Sequence, residues 1–121
     1  MNILVIDDSA EIREVIYKIL QEEGHDVAVS INGKEALKLL KLNPRIDLVI
    51  TDIIMPEKEG IETIIELKRD YPKIRIMAIS GGGYGNAGDY LVAAKRVGAD
   101  STLCKPFDRQ ELIDTLQAIF D

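Results

Sequence analysis

Four short apolar runs in the sequence each end at polar residues suited to ionic or phosphoryl chemistry. They end at Asp7 and Asp8, at Asp52, at Ser80 and at Lys105. If the runs are parallel strands of one sheet, these side chains meet at the edge where open α/β sheets bind ligands. Carboxylates and a lysine at that edge suit a divalent cation together with a phosphoryl group.

Asp7 and Asp8 are adjacent acids that follow an apolar run. Two carboxylates this close repel each other, and the arrangement becomes favourable when a cation lies between them. Mg²⁺ takes hard oxygen ligands and is often held by one or two carboxylates plus a phosphate. Alternatively, the acids stabilise the positive N-terminus of the following helix, although Ser9 could cap that helix alone. The pair by itself leaves both interpretations open.

Asp52 ends the most apolar of the runs. A carboxylate can attack phosphorus and form an aspartyl phosphate, provided that cations neutralise the charge on the oxygens involved. Lys105 could supply such a cation, and Ser80 could donate a hydrogen bond to a phosphoryl oxygen. The alternative is a turn aspartate shortly before Pro56. Each residue alone favours the ordinary structural interpretation, whereas their joint placement favours phosphoryl chemistry.

The elements that must position these residues are helices alternating with short strands. Apolar positions at helical spacing predict helices over 11–23, 33–42, 61–68 and 90–97, and from 108 to the end. The apolar faces include Val15 in the first helix and Phe120 in the last. Asp108 and Glu111 have the spacing of a capping box. Strands alternating with helices of this length predict an α/β fold, a doubly wound five-stranded parallel sheet with helices on both faces.

Composition narrows the class of protein. A length of 121 residues predicts one domain, 1–121. A net charge of −6 argues against direct binding of nucleic acid. The single cysteine, Cys104, excludes an internal disulfide and is predicted to be a buried small hydrophobe. No apolar stretch is long enough for membrane insertion, and no leader peptide is visible, so a cytoplasmic location is expected.

In combination, these motifs resemble the receiver domain of bacterial two-component response regulators, the family of the chemotaxis regulator. The order and approximate spacing match along the whole chain. The segments that carry the resemblance are Asp7-Asp8, Asp52-Ile53-Ile54-Met55-Pro56, Ser80, Gly98-Ala99-Asp100 and Lys105-Pro106-Phe107. The resemblance implies a flavodoxin-like sheet with strand order 2-1-3-4-5.

The resemblance also implies a Mg²⁺ site and a phosphoacceptor. Asp52 would accept the phosphoryl group. Asp7, Asp8, Asp52 and the backbone carbonyl of Ile54 would bind the metal.

The remaining implied roles concern signalling. Lys105 would pair with the phosphoryl group or, before phosphorylation, with Asp52. Ser80 would be the hydroxyl that moves on switching, and the Lys105–Pro106 peptide bond would be cis. The phosphoryl donor would be a sensor histidine kinase, a histidine phosphotransfer protein or a small acyl phosphate. The chain would act as a switch for a downstream protein target rather than as a turnover enzyme, as a monomer or a weak phosphorylation-dependent dimer.

The chain departs from the family pattern in two places. Thr102 stands where many receivers carry Tyr or Phe. The span between Ser80 and Lys105 is longer than in the chemotaxis regulator, and the extra length falls in a glycine-rich run. One hypothesis is that this run is the signalling element, mobile without phosphate and ordered with it. Tyr84 or Tyr90 could then replace the missing aromatic, or both could simply pack or face solvent.

Other functions fit the sequence less well. A phosphohydrolase that forms an aspartyl phosphate needs an acid/base carboxylate soon after its nucleophile, and here Ile53 and Ile54 follow. A dimerisation module that takes no phosphate would not need the full set of acids, hydroxyl and lysine. The glycine pattern of residues 83–88 is a weak match to a dinucleotide-binding loop because it does not directly follow the first strand. Whether the chain is a complete regulator or one part of a longer protein stays open.

Overall fold

The computed structural model describes residues 1–43, 45–53, 60–81 and 87–120, and in the last range it describes side chains from 92 onward. The strands are β1 Asn2–Ile6, β2 Asp26–Ser30, β3 Leu48–Asp52, β4 Arg75–Gly81 and β5 Ser101–Lys105. The helices are α1 Ala10–Glu22, α2 Gly33–Leu42, α3 Gly60–Asp70, α4 Ala87–Val97 and α5 Arg109–Phe120. Within these ranges, no helix combines the length and apolar character that a bilayer crossing requires.

The strands form one parallel sheet in the order β2-β1-β3-β4-β5. This confirms the doubly wound, flavodoxin-like fold. The strand order reverses at β1, which pairs with β2 on one side and with β3 on the other. A reversal of this kind opens a crevice at the carboxyl ends of the strands. The crevice is flanked by β1 and β3. Asp7 directly follows β1, and Asp52 is the last residue of β3.

Side-chain alternation along the strands divides the core into two layers. Every residue of β3 is buried, as expected for a central parallel strand covered on both faces. One layer joins alternate strand residues to α2, α3 and α4, and includes Leu4, Ile6, Val49, Ile76 and Ala78. The other joins the remaining strand residues to α1 and α5, and includes Ile3, Val5, Ile50, Met77 and Ile79. Both layers hold the strand ends in a fixed arrangement.

Local signals fix where the helices begin. Ser9 caps α1, since its hydroxyl accepts a hydrogen bond from the Ile12 amide at 3.4 Å. Asp108 accepts from the Glu111 amide at 2.8 Å, and its own amide donates to the Glu111 carboxylate at 3.3 Å. The predicted capping box at the start of α5 is thus confirmed.

Three predictions of burial are wrong. Cys104 is exposed, because it lies on the edge strand β5 and points away from the layer that buries its neighbour Leu103. Val15 and Phe120 are 53% and 43% exposed. Both sit at the margin of their helix's apolar face, where the neighbouring elements do not cover them.

Candidate functional site

The carboxyl edge of the sheet brings together the predicted side chains. Asp7 directly follows β1, Asp52 ends β3, and Ser80 and Lys105 lie near the ends of β4 and β5. The register places Gly81 beside Lys105 and Asp52 beside Ile79. Asp7 and Asp52 lie at the same level, since the residues before them, Ile6 and Thr51, are paired. Ser80 lies one residue and Lys105 two residues further along their strands.

Lys105 bridges two buried carboxylates. Its Nζ atom lies 2.8 Å from Asp7 Oδ2 and 2.9 Å from Asp52 Oδ2. The lysine side chain is only 16% exposed, and those of Asp7 and Asp52 are 2% and 8% exposed. Burial by itself would lower the pKa of Lys105, but its hydrogen bonds to Asp7 and Asp52 outweigh that effect and raise the pKa. The ammonium is therefore held in its charged form between the two acids.

The three acids form a compact group of oxygen ligands. One carboxylate oxygen each from Asp7, Asp8 and Asp52 lies within 4.8 Å of the others. Asp7 and Asp52 are buried, whereas Asp8 is exposed and opens the group to solvent. Hard oxygen ligands with access to water fit the preference of Mg²⁺ for carboxylates and retained waters. Ile54, whose carbonyl is predicted to complete this set, lies outside the described residues.

Asp7 is held at every polar atom. Its carboxylate accepts a hydrogen bond from the Ser9 amide at 2.9 Å, in addition to the bond from Lys105. Its own amide donates to the Ser30 carbonyl at 3.2 Å, and its carbonyl accepts from Arg13 Nη1 at 2.7 Å. Arg13 is missed by the sequence reasoning. The one sign of this role in the sequence is a long, positively charged side chain at the edge of the apolar face of α1.

Ser80 is fully buried, and its Oγ atom has no hydrogen-bond partner among the described residues. Buried hydroxyls almost always have a partner, because leaving one unsatisfied costs free energy. The Ser80 hydroxyl thus lies at the sheet's carboxyl edge without a partner in the described part of the chain. This suits the predicted contact with a phosphoryl group.

Two glycines allow close approach at the site. A Cβ atom on Gly60 would lie 2.3 Å from the Asp52 carbonyl oxygen, so α3 begins directly against the backbone that carries Asp52. A Cβ atom on Gly81 would lie 3.2 Å from Cδ of Lys105. The absence of a side chain at Gly81 leaves room for the alkyl chain of Lys105. Neither steric role is visible in the sequence.

The predicted replacements for the missing aromatic, Tyr84 and Tyr90, have side chains outside the described part of the chain. Thr102 is half-buried on β5, beside Ala78 of β4. The glycine-rich run over 82–86, including Tyr84, lies outside the described residues, as does the side chain of Tyr90. The hypothesis of an ordering loop therefore stays a prediction.

Known proteins match this chain in sequence over nearly its whole length. A model of the family described as the response regulator receiver domain matches residues 3–117. The transcriptional regulatory protein CpxR of Escherichia coli (strain K12) is 35% identical over 118 residues, which cover 98% of this chain and 48% of that protein. The CpxR homolog of Haemophilus influenzae is 37% identical over 118 residues, covering 98% of this chain and 49% of that protein. The chain thus spans about half the length of these relatives.

Solved structures give the same result. The receiver domain of NtrX from Brucella abortus matches with a TM-score of 0.89 and 30% identity, covering 97% of this chain and 96% of that one. The chemotaxis protein CheY4 of Vibrio cholerae matches with a TM-score of 0.87 and 30% identity, covering 98% of this chain and 97% of that one. Since sequence and fold agree over nearly its whole length, the chain belongs to the response regulator receiver domains of two-component systems.

Proposed function

We propose that this receiver domain accepts a phosphoryl group on Asp52 in a Mg²⁺-dependent reaction, and that the modification switches a surface for a downstream protein. The observation that carries the proposal is the bridge from Lys105 to Asp7 and Asp52, at 2.8 and 2.9 Å, beside the three-acid group. The buried Lys105 ammonium neutralises part of the negative charge of Asp7 and Asp52. A phosphoryl group bound there would meet the same cation.

The proposed reaction is an in-line displacement at phosphorus. A carboxylate oxygen of Asp52 attacks the phosphorus of a phosphohistidine, an O–P bond forms, and the N–P bond breaks with its electron pair returning to the imidazole nitrogen. Asp7, Asp8 and Asp52 would hold Mg²⁺, with the Ile54 carbonyl as a further ligand. When bound, the metal would neutralise charge on the attacking and phosphoryl oxygens.

Lys105 and Ser80 would hold the product. The Lys105 ammonium would exchange its hydrogen bond with Asp52 for one with a phosphoryl oxygen while it keeps its bond to Asp7. The buried Ser80 hydroxyl, which lacks a partner among the described residues, would donate to a second phosphoryl oxygen. These two contacts, one from β4 and one from β5, would thereby link the state of Asp52 to α4, which packs against both strands.

The proposed partners follow from the family. A sensor histidine kinase or a histidine phosphotransfer protein would be the donor. The curated relatives are named transcriptional regulatory proteins, and this chain covers about half of their length. For the chain itself, the net charge of −6 disfavours direct contact with nucleic acid. We therefore propose that its output passes through a protein surface.

Intact mass after incubation with acetyl phosphate tests the proposal. Wild type should gain one phosphoryl group with Mg²⁺ and none with EDTA, and Asp52→Asn should gain none. Asp26→Asn is the matched control, because Asp26 is an exposed aspartate at the opposite end of the sheet, and it should label like wild type. Equal labelling of wild type and Asp52→Asn would overturn the assignment of the acceptor.

A further inference from the structure

Arg13 reaches the acidic site from the side of α1 through a side-chain hydrogen bond. Its Nη1 atom donates to the backbone carbonyl of Asp7 at 2.7 Å, and the residue is half-buried. This distance is at the short end for a charge-assisted hydrogen bond, the stronger class of such bonds. The contact ties the helix to the turn of three residues, 7–9, that joins β1 to α1.

The carbonyl that Arg13 holds belongs to the peptide group between Asp7 and Asp8. Because a peptide group is planar, fixing its oxygen also fixes the direction in which the chain enters Asp8. Asp7 has further restraints from Ser9, Ser30 and Lys105. The Asp8 carboxylate, in contrast, is exposed and forms no hydrogen bond with the described residues. Its orientation therefore depends on the backbone that Arg13 restrains.

We propose that Arg13 is a positioning residue for the cation site, acting through the peptide group between Asp7 and Asp8. The inference rests on the proposed function, since it concerns the Mg²⁺ that the three acids would bind. Residues that orient metal ligands from outside the coordination shell commonly change metal affinity by about 10–100-fold when they are replaced.

Two other roles for Arg13 predict different signs. A guanidinium that acted only through its charge would repel a divalent cation, so its removal would tighten Mg²⁺ binding. A guanidinium that only stabilised the turn would lower the stability of the fold when removed and would leave the intrinsic Mg²⁺ affinity unchanged. Only a positioning role predicts weaker Mg²⁺ binding by protein that is still folded.

The test is a titration of the full chain with Mg²⁺, in which the chemical shifts of backbone amides in NMR spectra report binding. Arg13→Met keeps the length of the side chain and removes its donors, and should raise the Mg²⁺ dissociation constant about 10–100-fold. Arg13→Lys restores a charged donor and should show a smaller rise. Lys18→Met is the matched control, because it removes one positive charge from an exposed site on the same helix, and it should bind like wild type.

The outcomes separate the inference from the proposed function. If wild type binds no Mg²⁺, the proposed function fails. If wild type binds Mg²⁺ and Arg13→Met binds it equally well or more tightly, only the role of Arg13 is overturned. A urea titration establishes which variants are folded. If Arg13→Met does not fold, Arg13→Ala decides the question, because it also removes the donors and alanine has the best helix propensity; unchanged Mg²⁺ affinity in that variant contradicts the positioning role.

Discussion

Replacing Lys105 with methionine should destabilise the protein strongly in the absence of divalent cations. The substitution keeps most of the side-chain volume and removes the ammonium that lies 2.8 Å from Asp7 and 2.9 Å from Asp52. Both carboxylates are more than nine-tenths buried, so they would be left as neighbouring buried anions without their cation. Breaking a buried ion pair by removing one partner typically costs about 3–5 kcal/mol.

Urea unfolding with EDTA present measures this loss. A change of about 4 kcal/mol in the free energy of unfolding, at a urea slope of about 2 kcal/mol/M, shifts the midpoint by about 2 M. The control Lys18→Met removes an exposed lysine of α1 and should stay within about 0.5 kcal/mol of wild type. Excess Mg²⁺ should stabilise Lys105→Met more than wild type, since it binds the acids that have lost their ammonium.

Repeating the Lys105→Met substitution in a variant that already lacks one of the two acids makes the test specific to the ion pairs. In Asp52→Asn, one of the two buried anions is already neutral, so Lys105→Met should cost less there than in wild type. Coupled neighbours of this kind deviate from additivity by about 0.5–3 kcal/mol. The reasoning is refuted if Lys105→Met costs the same in both backgrounds, or if it costs no more than Lys18→Met.

The pKa of Lys105, the packing at Gly60 and the exposure of Cys104 each lead to a measurable outcome. The folded-state pKa of Lys105 is raised above its ordinary value of 10.5. The contribution of Lys105 to stability is therefore complete below pH 10.5 and is lost as the pH rises through the folded-state pKa. Urea titrations at alkaline pH should show this loss in wild type and not in Lys105→Met. Gly60→Ala places a Cβ atom close to the Asp52 carbonyl oxygen, so it should cost about 1–3 kcal/mol of stability and slow labelling by acetyl phosphate. Gly24→Ala is the control, because Gly24 has a positive φ of 89° and a Cβ atom there meets nothing within 4 Å. This control should lose stability with no change in labelling. Cys104 is exposed, so a thiol reagent should modify the native protein completely before it unfolds, and protection until unfolding would contradict the position of this side chain.

The fold could be predicted because its signals are local and repeated. Helical spacing of apolar residues located all five described helices, and α2 spans Gly33–Leu42 as predicted. The strand order required the family resemblance, since alternation of strands and helices does not by itself determine which strands are neighbours. The exposure of Cys104 and Val15 was missed because it depends on which parts of an edge strand or helix face the neighbouring elements leave uncovered.

The site could be predicted only in part, for a related reason. Asp7, Asp52 and Lys105 stand at strand ends, and a parallel sheet brings strand ends to one edge whatever the details of packing. Arg13 acts on a backbone carbonyl, and every residue has one, so no pattern of side chains marks the contact. That the Ser80 hydroxyl has no hydrogen-bond partner among the described residues likewise depends on the three-dimensional packing and not on any sequence pattern.

The charges at the sheet edge explain why the proposed reaction would need a metal. The three carboxylates of Asp7, Asp8 and Asp52 and the ammonium of Lys105 have a combined formal charge of −2. A phosphoryl donor is itself anionic, so this charge opposes its approach, and Lys105 cannot offset it because its ammonium is already shared between two acids. A divalent cation bound by Asp7, Asp8 and Asp52 would cancel the formal charge and release Lys105 to pair with phosphate. The lysine bridge would thus stabilise the buried acids without metal, and the metal would make the lysine available.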